Sequence, residues 1–311
     1  MSVSEFGLIQ RYFSSQIISN PANRLGIGDD CALMAIPSGY ELAITTDTMV
    51  ENVHFFAGTD PDALGHKLLA VNLSDLAAMG AEPVSVTLAL TLPEVDEDWL
   101  KEFSEGFLNL AKQFSVDLIG GDTTSGSLTM TVQALGIIPE GKALKRSAAK
   151  PGDFVFVTGR LGEAGLGLKI KTGYLCDSPE LALKQFYQPS PRVKEGLAIR
   201  AYANACIDLS DGIASDLDHI LEKSGVGARL DWDRLPLSRE VNEYINVTGD
   251  WSLPLSAGDD YELCFTVSPD KIDSINIACT QVGIIEEKPG LRIKRLGAIE
   301  NIEVKGFEHF S

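Results

Sequence analysis

Aspartate recurs beside glycine, serine and threonine in four places: Gly28-Asp29-Asp30, Thr45-Thr46-Asp47, Gly120-Gly121-Asp122 and Asp208-Leu209-Ser210-Asp211-Gly212. Carboxylates with neighbouring hydroxyls are the oxygen ligands that a hard cation such as Mg²⁺ prefers. Any one of these segments also suits a turn or a helix cap, because Asp and Ser bond nearby backbone readily. Four of them in one chain favour the cation. Asp75 is sharper still. Leu64, Leu68, Val71 and Asp75 share one helical stripe, the apolar one. A carboxylate on such a stripe is costly unless it is paired or bound to metal.

Common phosphate-binding motifs are missing. The glycine-rich run from Gly159 to Gly167 is neither G-x-x-x-x-G-K-[ST] nor G-x-G-x-x-G, and the kinase catalytic-loop and D-F-G signatures do not occur. A nucleotide would therefore be held mainly through carboxylate-bound metal, with Arg146 and Arg192 as candidate forks for phosphate. His54 follows the second acidic segment. No G-x-S-x-G elbow and no cysteine with a basic neighbour supports nucleophilic catalysis.

The elements that must position these residues alternate between strand and helix. Glu41 to Thr46 reads as a strand running into a loop at Asp47, and Asp60-Pro61 opens a helix that stops near Gly80. Pro83 to Leu92 is a strand, Trp99 to Phe114 an amphipathic helix, and Val116 to Ile119 and Leu128 to Ile138 are further strands. Lys150-Pro151-Gly152-Asp153 breaks any element and marks a domain boundary. Beyond it come strands at Phe154 to Thr158, Ala205 to Leu209, Tyr261 to Val267, Thr280 to Ile285 and Leu291 to Lys294. Helices fit Gly162 to Lys171, Arg192 to Ala203 and a segment starting near Gly212. The expectation is an α/β (α+β) protein of two mixed-sheet domains, residues 1–149 and 150–311, with ligands gathered at strand ends.

The chain has 44 Asp plus Glu against 26 Lys plus Arg, a formal charge of −18 over 311 residues. That excess argues against a nucleic-acid or anionic-membrane partner, both of which need a positive field. No stretch is long and apolar enough to span a membrane, no signal-peptide core opens the chain, and the five cysteines are scattered. A cytoplasmic protein with reduced thiols is expected.

In order along nearly the whole chain, the motifs resemble the thiamine-monophosphate kinase family of the aminoimidazole-ribonucleotide-synthetase-like superfamily. The resemblance rests on Gly26-Ile27-Gly28-Asp29-Asp30, Thr45-Thr46-Asp47 through Val53-His54-Phe55, Asn72-Leu73-Ser74-Asp75 through Gly80-Ala81, and Gly120-Gly121-Asp122-Thr123. It continues in Arg146-Ser147, Pro151-Gly152-Asp153, Asp208 to Gly212, Gly258 to Leu263 and Gly306-Phe307 to Phe310. It implies ATP-dependent phosphorylation of thiamine monophosphate to thiamine diphosphate with several Mg²⁺ ions. By motif, Asp30, Thr45, Thr46, Asp47, Asp75, Asp122, Asp208 and Asp211 fall on metal positions. Gly121, Asp122, Arg146 and Ser210 fall on nucleotide positions, and His54, Asp259 and Phe307 on substrate positions. The resemblance also implies a homodimer whose N-terminal strands close a shared barrel. Two positions depart from the pattern: Asp259 stands where Glu is usual, and Asn52 where Gly is common. The acceptor would be a phosphate oxygen already ionised at neutral pH, so no general base is expected.

Overall fold

The computed structural model describes residues 5–14 and 18–302. The chain forms two compact units: Met1–Leu76 with Ala81–Gly141, and Ala77–Gly80 with Lys142–Ser311.

The N-terminal unit opens with a short helix, α1 (Glu5–Leu8), and a small ladder of β1 (Asn23–Leu25) and β2 (Leu33–Met34). Its main sheet has the order β3-β6-β4-β5, from β3 (Tyr40–Val50), β4 (Glu82–Leu92), β5 (Asp117–Ser125) and β6 (Thr129–Pro139). Alternation divides this sheet into two faces. Val86, Leu88 and Leu90 pair with Ala134, Val132 and Met130, and all six are buried. The other face carries Leu42 and Ile44 opposite Ile137 and Leu135, and both β3 residues are exposed.

Two helices complete this unit, α2 (Pro61–Ala78) and α3 (Glu97–Gln113). Asp60 caps α2 as its position before Pro61 predicts, accepting from Ala63 N at 3.2 Å. Asp96 caps α3, and Leu100, Phe103, Phe107 and Leu110 form its buried stripe. The two helices meet at glycine. A Cβ on Gly65 would lie 2.1 Å from Phe103 O, and one on Gly106 2.0 Å from Asp62 O.

The C-terminal unit carries a seven-stranded sheet of order β13-β12-β9-β11-β7-β10-β8. Its strands are β7 (Phe154–Val157), β8 (Ala205–Asp208), β9 (Gly227–Asp231), β10 (Leu263–Val267), β11 (Thr280–Glu286), β12 (Gly290–Arg295) and β13 (Ala298–Asn301). All neighbours are antiparallel except β9 and β12. Helix α7 (Ile213–Ser224) packs Ile213, Leu217, Ile220 and Leu221 against Val155, Ile207, Val282 and Ile293 of this sheet. A smaller apolar cluster, Leu166, Ala182, Val241, Tyr244 and Leu253, joins α4 (Glu163–Lys171), α5 (Glu180–Tyr187), α8 (Arg239–Thr248) and α9 (Leu253–Ser256). Helix α6 (Val193–Ile199) lies between α5 and β8 in sequence.

The mixed α/β character is as expected. Within the single chain neither main sheet closes on itself among the described residues. Two segments expected to be loops are strand: Asp47 sits inside β3, and Gly120 to Thr123 inside β5. Pairing with β6 and β4 outweighs the turn preference of Asp and Gly there. No helix among the described residues is long and apolar enough to cross a membrane.

Candidate active site

In the N-terminal unit, strand register decides which residues meet. Thr45 and Asp47 pair with Ala134 and Val132, which places them on the buried face of the sheet. Thr45 Oγ1 donates to Asp75 Oδ2 of α2, and Asp47 N donates to Asn72 Oδ1 at 3.2 Å. Asn72 in turn donates to Leu68 O at 2.9 Å, so its amide is fixed within the helix. Burial pushes the Asp47 carboxyl up to about 6, helped by the neighbouring charge of Asp75 and their hydrogen bond. Asp75 is only half-buried, unlike Leu64, Leu68 and Val71 on its stripe. Thr46 lies on the exposed face, away from Thr45 and Asp47.

A cavity of about 670 Å³ occupies the same unit. Gly26 to Ala32 forms one wall, with Asp29 and Asp30; Gly120 to Thr123 of β5 forms another, with Gly121 and Asp122. Gly121 is required by close approach, since a Cβ there would lie 1.9 Å from Leu88 O. A register shift between Val86 and Thr87 accompanies the Gly120-Gly121 pair. Outside the lining, Asp117, the first residue of β5, ties that strand to the segment that leads into Gly26. Its carboxylate accepts from Ser19 N at 3.1 Å, Ser19 Oγ at 2.8 Å, Asn20 N at 2.9 Å and Asn23 Nδ2 at 2.8 Å. Burial opposes its ionisation, but these donors hold its carboxyl below the usual range.

His54 closes the turn after β3, where its Nδ1 accepts from Val50 N at 3.0 Å. Asn52 in that turn has φ 63°, the left-handed conformation that explains a glycine preference and that Asn also tolerates.

In the C-terminal unit, β8 delivers the buried Asp208 to the loop that starts α7. Asp216, in the first turn of that helix, reaches back to accept from Asp211 N at 3.0 Å. Burial pushes Asp216 up to about 8, with the charges of Asp208 and Asp211 adding to it. Ser210 O accepts from Asp259 N at 2.8 Å. Arg146 is exposed on a short 3₁₀ turn, its carbonyl accepting from Ser224 Oγ at 2.9 Å.

Arg192 needs correction as a phosphate fork. Its guanidinium binds the buried Glu262 through two bonds, Nε at 2.6 Å and a second through Nη2, while Thr158 Oγ1 donates to the same carboxylate at 2.6 Å. Arg192 is committed to a structural ion pair. Phe307 lies outside the described residues.

Among the described residues, no group of three or more His, Cys, Asp or Glu is arranged to hold a metal ion. The acids instead form Asp47 with Asp75 in one unit and Asp208, Asp211 and Asp216 in the other. The Asp47 and Asp216 carboxyls are raised first by burial and further by these neighbouring charges, a crowding that a bound divalent cation would relieve. The sequence reading gives Asp117 and Asp216 no part, and names Asp260 only within the Gly258 to Leu263 motif, without a role. An acid in the first turn of α7 was the signal available for Asp216; Asp117 gave none.

Residues 28–138 match the N-terminal domain of AIR synthase related proteins, and residues 150–293 match the C-terminal domain. The chain is thus a two-domain member of that class. The thiamine-monophosphate kinase of Haemophilus influenzae is 45% identical, over 100% of this chain and 99% of that relative. A solved thiamine-monophosphate kinase from Stenotrophomonas maltophilia K279a is 41% identical with a TM-score of 0.86, covering 96% of this chain and 99% of that one. A second solved structure, AaThiL complexed with AMPPCP and TMP, is 29% identical with a TM-score of 0.81, covering 99% and 97%. The chain belongs to the thiamine-monophosphate kinase family.

Proposed function

We propose that this protein transfers the γ-phosphoryl group of ATP directly to the phosphate of thiamine monophosphate, forming thiamine diphosphate. One observation carries the reading: the full-length likeness to a relative complexed with AMPPCP, an ATP analogue, and TMP. The cavity between Gly26 to Ala32 and Gly120 to Thr123 supports a nucleotide site with Gly121 and Asp122 in its wall. The family resemblance adds Arg146 and Ser210 as ATP-binding residues. Asp30, Thr45, Thr46, Asp47, Asp75, Asp122, Asp208 and Asp211 would hold the Mg²⁺ ions. His54, Asp259 and Phe307 would receive the thiamine moiety.

Bound Mg²⁺ supplies charge neutralisation and alignment for phosphoryl transfer. The chain's own residues hold the phosphates in place and carry no proton. The attacking phosphate oxygen is ionised at neutral pH, so the absence of a general base from the proposed set is chemically coherent. Quenched-flow with radiolabelled ATP tests this. Label should move to thiamine diphosphate with none on protein; an acyl-phosphate formed before product overturns direct transfer.

The reading extends to a homodimer whose main sheets pair into a shared barrel. Supporting it, β3 is an edge strand of 11 residues with Tyr40, Leu42 and Ile44 exposed along one face. Light scattering should give twice the 33.5 kDa chain mass. The five cysteines, all unpaired, are consistent with a cytoplasmic setting.

A further inference from the structure

The turn from Gly258 to Tyr261 is unusually constrained. Gly258, Asp259 and Tyr261 have φ of 73°, 61° and 47°, a region that residues with a Cβ disfavour. Such a conformation persists only where its surroundings over-determine it. Two backbone bonds sew the turn to the acidic loop after β8: Asp259 N to Ser210 O and Tyr261 N to Leu209 O, both at 2.8 Å. The two segments also approach closely, since a Cβ on Gly258 would lie 2.4 Å from Ser210 O. Within the turn, Tyr261 Oη donates to Asp259 Oδ1 at 3.0 Å.

A further tie is Asp260, only 2% exposed. Helix α4 begins after Gly162, which has φ 82° and no side chain with which to cap it. Asp260 supplies the missing cap from a distant part of the chain. Its two carboxylate oxygens lie 2.9 and 3.1 Å from Gly162 N, and Ala164 N also donates to it. Its carbonyl accepts from Gln185 Nε2 of α5 at 3.0 Å. One residue thus anchors the turn to two helices, while its neighbours on either side anchor it to the Ser210 loop.

We propose that Asp260 is a positioning residue: by capping α4 it locks the Gly258–Tyr261 turn, and so holds the Asp259 side chain where the thiamine moiety binds. This rests on the proposed function. Asp260 touches no substrate. It acts through Asp259, and the effect of losing it depends on Asp259 being present.

That dependence is the test. Asp260→Ala, Asp259→Ala and the double variant are assayed with ATP and thiamine monophosphate varied separately. Circular dichroism checks that each is folded. Asp260→Ala should raise the KM for thiamine monophosphate about tenfold or more, a misplacement effect, with a smaller change in kcat. In the Asp259→Ala background the same change should cost about twofold or less, because the residue being positioned is gone. Asp260→Asn, which keeps a capping oxygen, should restore most of the affinity. Penalties that multiply independently, or an unchanged KM in folded Asp260→Ala, overturn the inference. Where Asp260→Ala gives no folded protein, Asp260→Ser is carried through the same cycle with the same criterion. A wild-type protein that does not phosphorylate thiamine monophosphate refutes the proposed function itself; a wild-type that does, with independent penalties, refutes only the role of Asp260.

Discussion

Asp117→Ala should weaken both the fold of the N-terminal unit and its hold on nucleotide. The carboxylate is 3% exposed and collects four donors. They are not equally costly to abandon. Ser19 is exposed and Asn20 half-buried, so water can replace much of what they lose. Asn23 is buried and its Nδ2 would be stranded, although its Oδ1 still accepts from Ser85 Oγ at 2.6 Å. A stranded buried donor costs roughly 1–3 kcal/mol and a bond to a charged group contributes about 1.5–3 kcal/mol. Allowing for rehydration of the outer donors, the loss comes to about 3 kcal/mol. Urea unfolding followed by far-UV circular dichroism measures it. Asp117→Asn, which keeps one acceptor, should lose roughly half as much. Because Asn23 lies in β1 just before the cavity wall, and Asp117 opens the strand that carries Gly121 and Asp122, the KM for ATP should rise in both variants. The pH dependence has a definite sign. The Asp117 carboxyl is held below its ordinary value, so its contribution is present above the usual carboxylate range and fades as pH falls below it. The difference between wild-type and Asp117→Ala should shrink in acid. A loss below about 1 kcal/mol, or an ATP KM indistinguishable from wild-type, would refute the view that this carboxylate ties β5 to the segment that leads into Gly26.

Three further outcomes are expected. Asp75→Asn should lower kcat by roughly a hundredfold or more, as loss of a charge-stabilising group does, while the apparent Tm stays within a few degrees; activity within a few-fold of wild-type would make Asp75 merely structural. Gly121→Ala should abolish ATP binding measured by calorimetry, because its Cβ meets Leu88 O at 1.9 Å and β5 must shift away; retained affinity would show that the wall tolerates displacement. Burial raises the carboxyls of both Asp216 and Asp260 from the ordinary carboxylate range to about 8 in the folded protein. The folded state then keeps protons that the unfolded chain releases, so stability in chelator should decline as pH rises through that window. Thermal melts at low salt with EDTA read this directly, and a Tm climbing steadily from pH 5 to 8 would contradict it.

Much of the architecture was legible because it is local. The cap at Asp60-Pro61 and the stripe of Leu100, Phe103, Phe107 and Leu110 depend on neighbours in sequence, and both elements form where expected. Errors arose where distant pairing overrides local preference. Asp47 and Gly120-Gly121 carry turn chemistry, yet β6 and β4 draw them into strands. Arg192 illustrates the same limit, for nothing near it in sequence foretells its bonds to Glu262.

By itself the sequence determined the supply of ligands and their family resemblance: aspartates with hydroxyls in four short segments, and an order of motifs that the comparisons bear out. Those are properties of residue type and spacing. Only the tertiary structure decided which of these groups meet. Strand alternation sends Thr45 and Asp47 to the face that Asp75 shares, and Thr46 to the other. Long-range bonds to Asp117 and Asp260 hold the segments around them, whereas the bond to Asp216 spans only five residues. The physical reason is that a buried carboxylate must find its donors wherever the packed chain brings them, and register, not spacing, sets that place.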